Sequence, residues 1–343
     1  MQIKTALCSF GMSGRVFHAP FLHALPGFDL YSVWERDKDL ASALYPRVRT
    51  RRSIEELLQD KDVDLVIVNT PNYTHYDYAK KALLAGKHVV VEKPFATTVA
   101  EATELTELAH RLGLYLSVFQ NRRYDSDFRT VQQVVTSNAL GDMAEAEIHY
   151  DRYNEALSPK VHKEVPGPGT GILYDLAPHL IDQALQLFGT PESVFADLRI
   201  QRPISRVDDY MEVLLYYPSF PVRLKSGYLV REALPAYIVH GSRGSFLKRR
   251  SDVQETDLLA GKTPGGADWG IEPESEWGLL HTGAVRENIP SAKGDYGAYY
   301  TQLYKAIREG GPLPVTPEDG IAIMRVVETA LRSSKERRVV PFG

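Results

Sequence analysis

The chain has 343 residues, a hydrophobic fraction of 43% and a formal net charge of -4 at pH 7. This length predicts two domains of ordinary size, each able to bury its own core. The nearly balanced charge and the lack of a long Lys or Arg block exclude a protein that tracks a nucleic-acid backbone. We therefore expect a small-molecule or protein partner and no nucleic acid.

Cysteine content and hydropathy bear on the compartment. The single cysteine, Cys8, lies in a predicted buried strand, which excludes an intrachain disulfide and fits a reducing compartment. The sequence begins Met1-Gln2-Ile3-Lys4 with no charged-then-apolar leader, and no stretch approaches the roughly 18 apolar residues that span a bilayer. These features predict a cytoplasmic protein with no membrane partner.

From Ile3 to about Asn121, short apolar runs alternate with amphipathic segments, a pattern typical of βαβ units on a parallel sheet. Ser53 and Glu56 form a predicted capping box at one helix start, and Gly86 closes another helix. Residues 1–122 are therefore predicted to be a Rossmann domain, an α/β doubly wound parallel sheet. Its predicted strands lie near Ile3 to Leu7, Phe28 to Trp34, Leu65 to Asn69, His88 to Glu92 and Leu114 to Phe119.

The first predicted turn resembles a dinucleotide fingerprint. The run Ser9-Phe10-Gly11-Met12-Ser13-Gly14 lies between a strand and a helix, where Gly-x-Gly-x-x-Gly is expected, with Ser9 in place of the first glycine. Gly11 would let the backbone approach a pyrophosphate at the positive end of the helix, and Gly14 would allow the helix to pack closely on the strand. The candidate cofactor-binding residues in this turn are Phe10, Gly11, Met12, Ser13 and Gly14.

Two charged residues after the second strand bear on the choice between NAD and NADP. Glu35 follows the glycines by about 20 residues, where a carboxylate accepts hydrogen bonds from the adenosine ribose. A carboxylate there would repel a 2'-phosphate, whereas the neighbouring Arg36 can clamp one. The pair favours NAD slightly, with NADP as the alternative. Arg36 has the further alternative of an exposed loop residue.

A polar turn, Asn69-Thr70-Pro71-Asn72-Tyr73-Thr74-His75, follows the strand that ends near Asn69. It lies at the same carboxyl edge of the sheet as the glycine turn and is expected to cover the nicotinamide half of the cofactor. The candidates are Thr70, Pro71, Asn72 and His75. The alternative for His75 is an ordinary residue in the first turn of the helix that follows.

The run His88-Val89-Val90-Val91-Glu92-Lys93-Pro94 predicts an interior strand that ends at Pro94, because proline cannot donate to a strand ladder. Ligands of open α/β sheets bind just outside the carboxyl ends of the strands, so Lys93 is expected to point into that crevice. The alternative is a solvated Glu92–Lys93 pair in a loop.

Residues 123–343 are predicted to form an α+β domain. Beyond a helix near Phe128 to Thr136, alternating strands separated by turns indicate an open, mostly antiparallel β-sheet. One face of such a sheet must be covered, so a homo-oligomer, either a homodimer or a homotetramer, is a hypothesis. The predicted strands lie near Ala144 to Arg152, Ser193 to Gln201, Asp209 to Tyr217, Val222 to Val230 and Ala236 to His240.

A second candidate cluster follows the glycine-rich run 167–171. At 100° per residue, Asp175, His179, Asp182 and Gln186 share one stripe of a predicted helix. Pro178 predicts a kink or a late helix start. A histidine one turn from a carboxylate suits a general base, and the alternative is a solvated helix face. A metal site is disfavoured because no further histidine or cysteine lies at ligand spacing.

Together these residues give the chain a resemblance to the glucose-fructose oxidoreductase, inositol dehydrogenase and rhizopine catabolism (Gfo/Idh/MocA) family over nearly its whole length. Within the family it most resembles the NADP-dependent scyllo-inositol 2-dehydrogenases and their uncharacterised bacterial relatives. The motifs that carry the resemblance are Gly14-Arg15-Val16-Phe17-His18-Ala19-Pro20, Glu92-Lys93-Pro94, Asn121-Arg122-Arg123-Tyr124-Asp125, Leu173-Tyr174-Asp175-Leu176 with His179 and Asp182, and His240-Gly241-Ser242-Arg243-Gly244-Ser245-Phe246.

The resemblance implies an NAD(P)-dependent dehydrogenase that acts on a secondary alcohol of a polyol or sugar, with Lys93, Asp175 and His179 as its catalytic residues. His179 would take the hydroxyl proton, and Lys93 would stabilise the alkoxide character that develops. Further cofactor-binding candidates are Glu92, Lys93 and Asn121. Substrate-binding candidates are Arg123, Tyr153, His162, Lys163 and Asp182.

Three positions depart from the pattern of these relatives. Ser9 replaces the first fingerprint glycine, and Glu35 stands where NADP-dependent relatives tend to have a small polar residue. His162-Lys163 stands where those relatives carry a Trp-Arg pair, which leaves the substrate open. Two alternatives to an inositol-like substrate therefore remain: the same fold acting on a different carbonyl or a glycoside, or a non-catalytic NAD(P)-sensing regulator.

Overall fold

The computed structural model describes residues 1–343. The first third of the chain holds six strands and five α-helices. The strands are β1 (Ile3–Leu7), β2 (Phe28–Trp34), β3 (Arg49–Arg51), β4 (Leu65–Val68), β5 (His88–Glu92) and β6 (Leu116–Phe119). The helices are α1 (Ala19–Ala24), α2 (Leu40–Leu44), α3 (Ile54–Gln59), α4 (His75–Leu84) and α5 (Val99–Leu112).

The rest of the chain holds nine strands and six α-helices. The strands are β7 (Met143–His149), β8 (Ser193–Arg199), β9 (Tyr210–Tyr216), β10 (Pro221–Gly227), β11 (Tyr237–Gly241), β12 (Gly244–Lys248), β13 (Gly278–Thr282), β14 (Arg286–Ile289) and β15 (Val340–Pro341). The helices are α6 (Ser126–Thr136), α7 (Ile172–Asp175), α8 (Ala177–Phe188), α9 (Gln254–Leu259), α10 (Gly297–Glu309) and α11 (Pro317–Glu336). None of the helices combines the length and apolar character that crossing a bilayer requires.

The chain folds into two compact units, and neither is a single continuous segment. The first unit contains residues 1–121, 254–269 and 295–321, and the second contains 122–253, 270–294 and 322–343. The sequence predicts one division at residue 122. In the structure the chain passes from the first unit to the second after residue 121, and two later segments return to the first unit, where their aromatic side chains pack into its core.

The first unit contains a six-stranded parallel sheet in the order β3-β2-β1-β4-β5-β6. This is the strand order of a dinucleotide-binding Rossmann fold, so the predicted fold class of this unit is confirmed. Val89, Val90 and Val91 of β5 are fully buried, as expected for an interior strand. The predicted cap of α3 is present, since the Ser53 side chain accepts a hydrogen bond from the backbone N–H of Glu56.

The second unit contains a nine-stranded sheet in the order β14-β13-β12-β11-β7-β10-β9-β8-β15. Neighbouring strands are antiparallel except for β7 and β10, which confirms a mostly antiparallel sheet. Along β9, Met211, Val213 and Leu215 are fully buried and alternate with half-buried residues, so one face forms the core. Helix α8 contacts β7 and β10 on that unit's core.

The predicted break at Pro178 is present, because the segment divides into α7 and α8 at Leu176 and Pro178 lies in the first turn of α8. The prediction that Asp175 shares one helical stripe with His179 and Asp182 is wrong, because Asp175 ends α7 and the other two residues lie on α8. The alternative of a solvated face is also wrong for His179 and Asp182, which are buried. Every residue of α8 from Ala177 to Ala184 is buried, so neighbouring elements cover the first two turns of the helix.

Candidate functional site

The turn after β1 is held by paired hydrogen bonds to the residue that follows β4. The backbone N–H of Ser9 donates to Asn69 Oδ1 at 2.9 Å, and Asn69 Nδ2 donates to the Ser9 carbonyl at 2.9 Å. The Ser9 hydroxyl also donates to the Asn69 carbonyl. Serine in place of the first fingerprint glycine therefore has a local use, because its side chain fastens the turn to the neighbouring strand.

The two remaining glycines of this turn have different surroundings. A Cβ at Gly14 would lie 2.4 Å from the Ser9 carbonyl oxygen, so only glycine allows this helix to approach the strand so closely. A Cβ at Gly11 would meet only the Ser9 hydroxyl, at 3.8 Å, which leaves the backbone there open to a ligand. Met12 is exposed beside it. The turn therefore fits the pyrophosphate of a dinucleotide.

Phe10 and Ser13 complete the turn differently. The Phe10 side chain is buried and packs edge-on against Tyr45, with ring centroids 6.4 Å apart. The Phe10 side chain is therefore part of the core and is not available to a ligand. Ser13 precedes a π-helical turn, Gly14–His18, and its side chain makes no capping hydrogen bond.

The Glu35 carboxylate forms hydrogen bonds within the protein, to the start of α2. Its two oxygens accept hydrogen bonds from the backbone N–H groups of Leu40, at 3.2 Å, and Ala41, at 2.9 Å, and the residue is buried. It therefore satisfies the free donors at the start of α2. Arg36, next to it, is exposed and forms no hydrogen bond or ion pair. The loop that carries both is fixed by Arg52, which donates to the carbonyls of residues 35 and 38.

His75 bridges two loops at the carboxyl edge of the sheet. Its Nδ1 lies 2.8 Å from the Pro94 carbonyl and its Nε2 lies 2.9 Å from the Thr70 carbonyl. Burial lowers the pKa of His75, and the two backbone hydrogen bonds and the charge of Glu92 oppose that effect. Both ring nitrogens are thus occupied by backbone oxygens, so His75 joins the turn after β4 to the turn after β5.

The other residues of this turn are arranged around that bridge. The Thr70 and Thr74 hydroxyls lie 2.7 Å apart, and the Thr74 hydroxyl also donates to the Pro71 carbonyl. Asn72 begins a short 3-10 turn, Asn72–Thr74, that leads into α4. Asn121 is buried just beyond β6, at the same edge of the sheet.

Lys93 is half-buried and lies immediately after β5. Its backbone N–H donates to Glu92 Oε2 at 3.3 Å. Burial acts to raise the pKa of Glu92, but the hydrogen bond and charge of His18, with the charges of Lys93 and His75, hold it below its usual value. Glu92 is therefore an ionised, largely buried carboxylate beside the candidate lysine. Because the Glu92 side chain is not in solvent, the alternative of a solvated Glu92–Lys93 pair is excluded.

In the second unit, Asp175 forms an ion pair with one of the predicted substrate residues. Lys163 Nζ donates to Asp175 Oδ1 at 2.6 Å. Gly171 precedes α7 with φ +89°, and a Cβ there would lie 2.0 Å from Asp208 Oδ1. Asp208 Oδ2 in turn accepts from the backbone N–H of Leu173. The turn that presents Asp175 is thus fixed from two sides.

His179 and Asp182 lie one turn apart on α8. Asp182 accepts a bidentate hydrogen bond from the Arg123 guanidinium, with N–O distances of 2.6 to 3.1 Å, and both side chains are largely buried. His179 is 6% exposed, and its ring centroid lies 6.5 Å from that of Tyr150. The structure therefore joins Arg123 to Asp182 instead of leaving each available separately.

The two remaining substrate candidates are more exposed. The Arg231 guanidinium stacks over the Tyr153 ring at 4.0 Å and donates to its hydroxyl. His162 lies in the short 3-10 turn Val161–Lys163, where burial and the charges of Lys163 and Lys160 lower its pKa. His162 is therefore a neutral, exposed imidazole at physiological pH, next to the lysine that pairs with Asp175.

The candidates divide between the units. The glycine turn, Glu35, Arg36, His75 and Lys93 belong to the first unit, whereas the ion-paired carboxylates and His179 belong to the second. Sequence reasoning missed Asn69 and Arg52 as residues that hold the loops after β1 and β2, and His18 as a partner of Glu92. The signal for Asn69 was present, since it opens the polar turn after a buried strand. No group of three or more His, Cys, Asp or Glu side chains is arranged to hold a metal ion.

Comparisons with known proteins agree with this division. The NAD-binding Rossmann fold of an oxidoreductase family matches residues 3–120, and its C-terminal alpha/beta domain matches residues 132–342. The chain is 40% identical to the uncharacterised oxidoreductase YdgJ of Escherichia coli, over 98% of this chain and 97% of that protein. It is 37% identical to the NADP(+) scyllo-inositol 2-dehydrogenase IolW of Bacillus subtilis, over 98% and 95%.

Solved structures give the same result. A crystal structure from Bacteroides fragilis is 44% identical, covers 99% of this chain and 100% of its own, and has a TM-score of 0.91. YvaA from Bacillus subtilis is 36% identical, with coverage of 100% and 99% and a TM-score of 0.96. Both domains of one family are therefore matched across nearly the whole length. The chain is an NAD(P)-binding oxidoreductase and belongs to the Gfo/Idh/MocA family.

Proposed function

We propose that the chain transfers a hydride between NADP and a secondary alcohol of a polyol or sugar, with an inositol-like ring as the first candidate. The observation that carries the proposal is that the glycine turn and Lys93 follow β1 and β5, whose carboxyl ends lie at one edge of a parallel sheet. The name of IolW gives the substrate class. Two more distant relatives are named for 1,5-anhydro-D-fructose and glucose-6-phosphate, which also carry such carbons.

The protein groups would supply proton transfer and charge. A bound nicotinamide supplies the hydride acceptor. Lys93 donates a hydrogen bond to the reacting oxygen and stabilises the alkoxide character that develops there. His179 takes the hydroxyl proton, and its burial limits competition from water. Asp175, paired with Lys163, accepts a hydrogen bond from a neighbouring substrate hydroxyl or orients His179.

NADP is favoured over NAD by the loop after β2. The Glu35 carboxylate, which would repel a 2'-phosphate if it faced the ribose, is already bonded to the start of α2. Arg36 is exposed and has no competing partner. A guanidinium binds phosphate through paired hydrogen bonds, so Arg36 is the residue proposed to hold the 2'-phosphate. This reverses the slight preference for NAD that the two residue types alone suggest.

The first test is absorbance at 340 nm with NAD and NADP separately against a panel of inositols and sugars. Turnover of scyllo-inositol with NADP supports the whole proposal. Turnover of another polyol keeps the mechanism and moves the substrate. Turnover of a different carbonyl or of a glycoside would contradict the proposed substrate class and favour the same fold acting on that substrate. No turnover despite tight cofactor binding would contradict it too and would favour a non-catalytic NAD(P)-sensing regulator.

Cofactor choice is tested with Arg36→Gln and Glu35→Gln. Arg36→Gln should weaken NADP binding about tenfold or more, because a charged phosphate contact is lost, and should leave NAD binding unchanged. Glu35→Gln should lower stability by about 1 kcal/mol through the weakened helix start, with the NADP preference kept. If Glu35→Gln instead weakens NAD binding selectively, the carboxylate contacts the ribose and the assignment is wrong.

The role of Lys93 is tested with Lys93→Met. We expect turnover to fall about 10²- to 10⁴-fold while the dissociation constant for the dinucleotide changes little. Lys61→Met, at an exposed lysine, is the matched control and should keep normal turnover. Near-normal turnover of Lys93→Met with an established substrate would rule out the proposed role.

We also propose a homo-oligomer in which a second copy covers the outer face of the nine-stranded sheet. The support is that β9 buries one set of side chains completely, while Leu214 and Tyr216 on the opposite face are only half-buried. Multi-angle light scattering gives the mass in solution. A strictly monomeric mass at micromolar concentration would contradict this proposal.

A further inference from the structure

His18 is a buried histidine that the proposed chemistry does not use. It lies at the end of the π-helical turn Gly14–His18, directly before α1, and is fully buried. A π turn is rare and is frequently found at functional positions, because the extra residue in the turn redirects a side chain. Here the turn that follows the dinucleotide fingerprint places the imidazole against the end of β5 and against α10.

The hydrogen bonds of Tyr300 determine the protonation of one ring nitrogen. The Tyr300 hydroxyl lies 2.7 Å from the Phe17 carbonyl, which can only accept, so its single proton points there. The same hydroxyl oxygen lies 2.8 Å from His18 Nδ1. Since that oxygen has no second proton to give, His18 Nδ1 must carry a hydrogen and donate it.

The second ring nitrogen faces a carboxylate. His18 Nε2 lies 3.0 Å from Glu92 Oε1. At 3.0 Å two lone pairs would repel each other, so one proton must lie between His18 Nε2 and Glu92 Oε1. An imidazole is ordinarily a stronger base than a carboxylate, so that proton is assigned to the ring and the carboxylate is left as the acceptor. His18 Nε2 must therefore donate as well. With a proton on each nitrogen, the ring is an imidazolium, and its centroid lies 4.5 Å from that of the Phe119 ring, with the two rings tilted by 48°.

The same carboxylate reaches the candidate catalytic lysine. Glu92 Oε1 is bonded to His18 and Glu92 Oε2 accepts the backbone N–H of Lys93. One side chain thus links the turn after the glycine fingerprint to the backbone of Lys93. The other charged or titratable groups that act on this pair are Lys93, His75 on α4 and Tyr300 on α10.

We propose that His18 is held as an imidazolium and is a positioning residue for Lys93, acting through Glu92. The inference rests on the proposed function for the role of Lys93, but the protonation of His18 does not. A neutral ring would leave a lone pair facing either the Tyr300 oxygen or the carboxylate, which would release Glu92 and the Lys93 backbone.

Protonation is tested without substrate by ring-¹⁵N NMR of the histidine-labelled protein at pH 7.5. A free histidine is mostly neutral at that pH, since its ordinary pKa is about 6.5. We expect both nitrogens of His18, assigned with His18→Gln, to give signals of protonated nitrogen. In Glu92→Gln one of them should become unprotonated. A neutral His18 ring in the wild-type protein would overturn the proposal.

Positioning is tested by the ¹³C-dimethyl signal of Lys93 after reductive methylation, assigned with Lys93→Arg. The signal should shift in His18→Gln and in Glu92→Gln. The second variant keeps the shape of the side chain, so it still tests the proposal if His18→Gln folds poorly. The control His110→Gln, at an exposed histidine, should leave it unchanged. An unchanged Lys93 signal in both variants would overturn the positioning role.

Kinetics add a separate readout once a substrate is known. His18→Gln and Glu92→Gln should lower kcat about 10- to 100-fold, as expected for a misplaced catalytic group. Wild-type kcat in both variants would overturn the positioning role. Failure of every substrate would instead refute the proposed function, and the two NMR experiments would still decide the state of His18.

Discussion

Replacing Gly14 with alanine tests how closely the first helix of the Rossmann unit packs on its strand. The added Cβ would lie 2.4 Å from the Ser9 carbonyl oxygen and 2.8 Å from Asn69 Nδ2. Neither atom is the free end of a flexible chain, because both belong to the hydrogen-bonded link between β1 and β4. The backbone of the turn must therefore move.

The size of the effect follows from competing terms. Overpacking of this kind costs about 1–3 kcal/mol, and each disturbed hydrogen bond adds about 1 kcal/mol. The better helix propensity of alanine returns only about 1 kcal/mol. Gly14→Ala should thus lower the free energy of unfolding by about 2–4 kcal/mol. Gly11→Ala should change it by no more than about 0.5 kcal/mol, since its Cβ meets only the Ser9 hydroxyl at 3.8 Å.

The assay is urea unfolding followed by circular dichroism, with dinucleotide binding measured by protein fluorescence. Gly14→Ala should shift the unfolding midpoint, whereas Gly11→Ala should keep the midpoint and weaken binding because its methyl group lies where the pyrophosphate approaches. Equal stability of the two variants would refute the close-packing explanation. Wild-type affinity in Gly11→Ala would refute the placement of the pyrophosphate.

Two further predictions concern charges in the second unit. Arg123→Met should destabilise the protein by about 3–5 kcal/mol, because Asp182 is left charged and buried, and the double change with Asp182→Leu should recover most of that loss in the same urea assay. The pKa of His149 is raised: burial opposes the charge, but hydrogen bonds to Asp151 and Glu147 outweigh it. The stabilisation that protonated His149 contributes is therefore fully present below pH 6.5, its ordinary pKa, and is lost as the pH rises through the raised pKa. The free energy of unfolding of the wild-type protein should fall over that pH range, whereas that of His149→Gln should stay constant. Parallel pH profiles would contradict this assignment.

Much of the first unit could be predicted because its strands are short, β-branched and buried. The bounds of β1, β2 and β5 are those expected from the sequence. Strand β3 was missed, since Arg-Thr-Arg carries no apolar pattern and pairs only at the sheet edge. In the second unit β12 to β15 were missed because they are only two to five residues long and each contains at least one glycine, proline or charged residue.

The candidate site was predicted as residue types but not as contacts. Sequence reasoning selected Asp175 and Lys163, yet their ion pair spans a loop with no periodicity that could indicate it. It also assigned Glu35 to the ribose, whereas the carboxylate bonds to backbone groups five and six residues later. Local capping of this kind competes with ligand binding for the same oxygens, and only three-dimensional geometry decides between them.

The returning segments of the first unit have a consequence for how the protein is made. Tyr299 and Tyr300 are fully buried in that unit, where Tyr300 stacks on Phe21 and Tyr299 packs edge-on against Phe119. Tyr300 is synthesised 279 residues after Phe21, and Tyr299 is synthesised 180 residues after Phe119. During synthesis the core of the nucleotide-binding unit therefore stays incomplete, and accessible to chaperones and proteases, until most of the second unit has been synthesised. Expression of residues 1–122 alone would reproduce that waiting state and not a finished domain.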